Sequence, residues 1–123
     1  MIVYRYEDEH GDGLYSCGEA IDILIDTVPG DHATRHPTPR NDQMLVECIY
    51  HRTGAGVESF LSECMIFGFS SVEQMRKWIP KRTSDEIEKL TDIRLKVFEV
   101  PNEHVYCGGH QCVFESHMAV EIE

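Results

Sequence analysis

The 123-residue sequence predicts an α+β domain, a small mixed or antiparallel sheet with two to three helices packed on it. Three observations lead there. A β-branched and aromatic run, Ile2 to Tyr6, opens the chain; helical apolar spacing recurs at Gly18 to Val28 and Ser71 to Ile79; and the apolar runs Ile93 to Val100 and Val105 to Phe114 follow. A chain of this length supports one core, so residues 1–123 read as one domain.

Taken in order, the strand Ile2 to Tyr6 stops at the acidic, glycine-containing stretch Glu7 to Gly13, which reads as a turn. In Gly18 to Val28, Ile21, Leu24, Ile25 and Val28 fall at i, i+3, i+4 and i+7, which predicts a helix, while Ile23 and the β-branched content also fit a strand. Pro29 to Asp42 holds three prolines and reads as a long exposed loop. Met44 to Tyr50 is apolar enough for a strand, and Val57 to Glu63 is ambiguous between helix and strand. Met65 to Phe69 reads as a strand running into a helix capped by Ser70 or Ser71, with Val72, Met75, Trp78 and Ile79 on its inner face and Pro80 at its end. Thr83 and Glu86 stand in capping-box spacing and predict the start of a second helix, with Ile87 and Leu90 inward. The strands Ile2 to Tyr6, Ile93 to Val100 and Val105 to Phe114 are expected in one sheet, with Trp78 largely buried against it. In the tail Met118, Val120 and Ile122 alternate with Ala119, Glu121 and Glu123, as in a half-buried edge strand.

Charge narrows the function classes. The formal net charge is -11, with 22 Asp and Glu against 11 Lys and Arg, so direct nucleic-acid binding, which draws on Lys and Arg to release counterions, is not expected. A host protein with a basic surface is the more natural partner, although solubility alone accounts for such a charge. No apolar run reaches the ~20 residues of a membrane span and no basic segment precedes an apolar one near the start, so the expected location is cytoplasmic. Five cysteines without a regular framework fit reduced thiols.

Two clusters have ligand-type chemistry. Cys107, His110, Cys112 and His117 offer sulfur and imidazole donors of the kind zinc takes, but the spacing lacks a paired C-x-x-C knuckle, and no bound zinc is expected. His32 and His36, with Asp31 and Asp42 nearby, form a carboxylate and imidazole group in the proline-rich loop, where solvated polar residues are the simpler account. No phosphate-cradling glycine loop, nucleophile elbow or H-E-x-x-H pair is present.

The succession of a first strand with Tyr4 and Arg5, then IFGFSSVEQMRKWI, LKVFEVP and HQCVFE, resembles small ADP-ribosyltransferase-like domains. In that family the first strand carries a His or Arg that holds NAD, a middle strand ends in Ser or Tyr before a helix with a Trp, and a late strand carries the catalytic Glu. The resemblance implies that Tyr4, Arg5 and Ser70 bind NAD or a related nucleotide and that Gln111 occupies the catalytic position. Cleaving the nicotinamide bond builds positive charge on the ribose, which a carboxylate stabilises and a neutral Gln111 does not. Either Glu115 or another acid takes that part, or the site binds without turnover. The resemblance also implies that Arg5 and Gln111 share a cleft and that Arg5 serves ligand binding while adding little to stability. The same layout resembles small uncharacterised proteins of bacterial viruses, which implies a viral accessory role. A different class of reading is a non-enzymatic acidic inhibitor, an anti-defence or host-takeover protein that covers a basic surface of a host complex.

Overall fold

A computed structural model describes residues 1–28, 38–61 and 65–122. In chain order the elements are β1 (Ile2–Glu7), α1 (Gly18–Thr27), α2 (Gln43–Thr53), α3 (Val57–Phe60), β2 (Met65–Gly68), α4 (Val72–Trp78), α5 (Lys81–Leu90), β3 (Arg94–Glu99), β4 (Val105–Cys107), β5 (Cys112–Glu115) and β6 (Val120–Glu121). The fold class is α+β, built on two three-stranded antiparallel sheets, β1-β3-β6 and β2-β5-β4.

The backbones of the two sheets pair at one point. Tyr4 and Phe69 exchange backbone hydrogen bonds, each N–H donating to the other's carbonyl at 2.8 Å, so β1 and the end of β2 pair there and splay apart on either side. Gly68 permits this approach, because a Cβ at that position would lie 2.7 Å from Val3 Cγ1 and 2.9 Å from the Tyr4 carbonyl.

Strand alternation then sorts the core. On one face of β1, Tyr6 packs with Leu24 of α1, Met75 of α4 and Ile87 of α5. Val3, on the opposite face, meets Phe98 of β3 and Cys112 and Phe114 of β5, so the two sheets bury their apolar sides against each other. The far side of the β4-β5 hairpin, through Tyr106 and Val113, is covered by Leu45 and Ile49 of α2 and Val57 of α3. Polar side chains buried between helices are paired: Thr27 with Thr83 at 2.7 Å, and the Tyr6 hydroxyl, which donates to Ser84 Oγ at 2.7 Å.

Several sequence expectations are corrected. Met44 to Tyr50 is not a strand but the body of α2, whose start is fixed by Asp42 accepting from the Leu45 N–H and whose end is Gly54 at φ 75°. Such a left-handed residue closes a helix and suits glycine. The strands β1 and β3 lie in one sheet and β4-β5 in the other, because β1 passes its second edge to Phe69 and not to the last hairpin. Trp78 is only half-buried and Val72 is exposed; α4 faces inward through Met75, with Ile79 just beyond it, a narrower stripe than expected. Thr83 does not cap α5, which begins at Lys81 after Pro80; it lies within the helix, turned onto Thr27. Ser71 caps α4 by accepting from the Gln74 N–H. Most of the tail is a short 3-10 turn, Ser116–Met118, followed by the two-residue β6.

Candidate functional site

Where β1 and β2 splay beyond the Tyr4–Phe69 contact, backbone groups that would pair in a continuous sheet need other partners. Arg5 supplies one. Its Nη1 donates to the Phe67 carbonyl at 2.7 Å, its Nη2 to the Gly11 carbonyl at 3.2 Å, and its Nε to Glu7 at 2.8 Å. Lys96 approaches the other oxygen of Glu7 at 3.4 Å, which completes a charged triad around the buried Glu7 at the end of β1. The guanidinium thus ties β1 to β2 and to the turn after β1, and Gly13 packs beneath it.

The splay leaves a cleft of about 310 Å³, at the lower end of the ~300–1,000 Å³ usual for small-molecule sites. Its walls include Arg5, Tyr6 and Tyr15 from the N-terminal part, Phe67 of β2, Phe69 just after it, and Gln111. Gln111 is nine-tenths or more buried. Burial pushes the Tyr15 phenol well above the ordinary tyrosine range. The combination of aromatic rings, one guanidinium and one carboxamide suits a planar, polar ligand that stacks and accepts hydrogen bonds.

The five residues assigned by resemblance do not all meet. Arg5 and Gln111 line the same cleft. Tyr4 packs instead with the core of Tyr6 and Leu24, and Ser70 lies at the start of the α4 region, where its N–H donates to Gln74 Oε1 at 2.9 Å. Glu115 sits at the far end of β5, opposite Met65, and is hydrogen-bonded to His104 Nδ1. No acidic residue is among the described residues lining the cleft. Arg5 also departs from expectation, since its three contacts make it part of the framework as well as of the wall.

Asp42, grouped from the sequence with His32 and His36 in an exposed loop, has a different role, which sequence reasoning missed. It is 2% exposed, and its carboxylate accepts from the N–H groups of Gly109 at 2.8 Å, His110 at 2.9 Å and Leu45 at 3.3 Å. One side chain therefore caps α2 and grips the turn joining β4 to β5, directly before Gln111. Gln74 holds the same turn from α4 by donating to the Gly108 carbonyl at 3.3 Å. A Cβ at Gly108 would meet the Asp42 carboxylate, so a glycine is required there. The glycine pair at 108 and 109 was the one visible sign of so close an approach.

Among the described residues no group of three or more His, Cys, Asp or Glu side chains is arranged to hold a metal ion. Cys107 and Cys112 are cross-strand partners and His110 is exposed, its ring edge-on to Trp78 at 5.9 Å. Asp31, His32 and His36 lie outside the described residues. Among the described residues no helix is long and apolar enough to cross a membrane.

Comparison with known proteins places the chain. The V-type ATP synthase beta chain of Borreliella burgdorferi (strain ZS7) is 30% identical over 108 residues, covering 85% of this chain and 21% of that protein. The corresponding chain of Borreliella afzelii (strain PKo) is 29% identical over 108 residues with the same coverage. The uncharacterized 19.7 kDa protein in the motB-dexA intergenic region of Enterobacteria phage T4 is 29% identical over 96 residues, covering 69% of this chain and 57% of that one. The chain thus spans about a fifth of the synthase chains and somewhat over half of the phage protein. No solved structure matches. The family model described as Bacteriophage T4 Y00F protein matches residues 1–123, and the chain belongs to that family.

Proposed function

We propose that this phage protein is an accessory protein that binds NAD or a related nucleotide in the cleft between β1 and β2 and acts on a host protein by binding, not by turnover. The observation that carries the reading is the convergence of Arg5 and Gln111 with Tyr6, Phe67 and Phe69 in one cleft. Arg5 has five donor N–H groups, and its three contacts leave capacity toward a ligand. Gln111 offers a carboxamide to a ribose or amide edge. With Glu115 engaged by His104 at the other end of β5, the cleft lacks the carboxylate that would stabilise a positively charged ribose, which supports binding over transfer. The cleft volume suits one end of a dinucleotide, with the remainder outside.

Trp78 is the single tryptophan and directly precedes Ile79, which lines the cleft, so its fluorescence serves as a probe of that wall. Titration with NAD is expected to change that signal saturably in the native protein and not in Gln111→Ala. A flat response in the native protein would remove the reading.

The net charge of -11 favours a second reading, the acidic inhibitor. α1 contains no Lys or Arg, and its exposed side carries Glu19, Asp22 and Asp26 beside Ile25. Such a face suits a basic groove on a host complex. The two readings are compatible if the cleft tunes that face. The likeness to synthase chains covers a fifth of their length, and with no phosphate-cradling glycine loop in this sequence no ATP chemistry is drawn from it.

A further inference from the structure

We propose that Cys107 and Cys112 form a redox pair that closes to a cross-strand disulfide when the oxidant is a low-molecular-weight disulfide of the glutathione class, locking the turn that carries Gln111. The proposal stands on backbone register and does not depend on the cleft binding a nucleotide. In the β4-β5 hairpin Cys107 is the direct partner of Cys112. One step toward the turn, the Gly108 N–H donates to the Gln111 carbonyl at 2.8 Å, which makes Gly108 and Gln111 the hydrogen-bonded pair. Alternation in an antiparallel ladder then makes Cys107 and Cys112 a non-hydrogen-bonded pair, the kind whose Cα atoms lie closer, at about 4.5 Å. That separation falls within the roughly 4.4–6.8 Å that a disulfide spans.

Both thiols also lie on one face of the hairpin, packed in the core with Val3, Phe98 and Phe114. Cys48 belongs to the cluster of Leu45, Tyr106 and Val113 on the other side of the hairpin, near enough to raise the Cys107 thiol but not its strand partner. Cys107 is half-buried and Cys112 fully buried, and all the described cysteines are free thiols. These exposures set the order of events. The Cys107 thiolate attacks one sulfur of the external disulfide and releases one thiol. Cys112, its proton passing to solvent, then attacks Cys107 Sγ and releases the second. Two protein thiols are oxidised, and one external disulfide is reduced to two thiols. Burial, with the neighbouring Cys48, raises the Cys107 thiol above its ordinary value, so the first step quickens as pH rises.

The native protein is incubated with oxidised glutathione, free thiols are blocked with N-ethylmaleimide before any denaturant is added, and the tryptic peptides are weighed. Cleavage after Lys96 yields Val97–Glu123, which contains Cys107 and Cys112 and no other cysteine. The expected product is that peptide without maleimide and lighter than its reduced form by two hydrogens, accompanied by slower amide exchange at Gly109 and His110. Cys48→Ala should give the same product. A peptide carrying two maleimides, a glutathione adduct that never resolves, or a cross-link to Asn41–Arg52, which carries Cys48, would each overturn the proposal.

Discussion

Arg5 does at residue scale what a hydrogen-bonded strand pair would do if β1 and β2 stayed together. Its guanidinium reaches Phe67 and Gly11 carbonyls and pairs with a Glu7 that is 7% exposed. Removing it leaves a buried carboxylate with Lys96 alone and two carbonyls to be satisfied by water. Arg5→Ala is therefore expected to destabilise the fold by about 2–4 kcal/mol, read from urea denaturation. An unchanged midpoint would assign Arg5 to ligand binding alone. Tyr15 gives a second residue-scale expectation. Its phenol is raised by burial from an ordinary value of 10.0. Below that pH it is neutral in the folded and unfolded chain alike and contributes no pH dependence. Above it the unfolded chain releases the proton first, so stability falls as pH rises. An ultraviolet absorbance titration should show one phenol lagging behind the others, with the urea midpoint dropping in the same alkaline range.

At the scale of elements, the seam and the β4-β5 turn depend on close approaches that a side chain would block. Gly68→Ala should force Val3 and the Tyr4 carbonyl away and cost about 1–3 kcal/mol, seen as a lowered melting temperature. Asp42→Ala strips acceptors from Gly109 and His110 and the cap from α2, with a loss of about 2–3 kcal/mol and faster amide exchange at those two positions. Neither dependence was legible in advance. Local patterns were: β1, α1, the Ser71 cap of α4 and the hairpin strands all follow from spacing and composition, because each is decided by neighbours in sequence. α2 was misread because Met44 to Tyr50 is apolar apart from Glu47, although only Leu45 and Ile49, at i and i+4, are buried. Its true signals, Asp42 at the start and Gly54 at the end, lay outside the apolar run. The split of the sheet was not legible, since pairing of Tyr4 with Phe69 is decided by packing across 65 positions. In the candidate site Arg5 and Gln111 were found, while Tyr4 packs into the helix-covered core, Ser70 is held by Gln74 and Glu115 by His104.

For the whole molecule, a sheet split at one backbone contact creates a wedge-shaped opening, and the residues lining it come from both halves. The Bacteriophage T4 Y00F family model matches residues 1–123, so the elements forming this opening all fall within the matched region. The proposed function requires that this opening receive a nucleotide. Isothermal titration with NAD and with ADP-ribose tests it most directly, on the native protein and on Gln111→Ala, whose side chain lines the cleft while its backbone partner Gly108 is retained. The account expects saturable heat with the native protein, weakened at least about tenfold in Gln111→Ala, as loss of one buried hydrogen bond of about 1.4 kcal/mol or more implies. Absence of heat from both ligands with the native protein, or equal affinity in the variant, would contradict it.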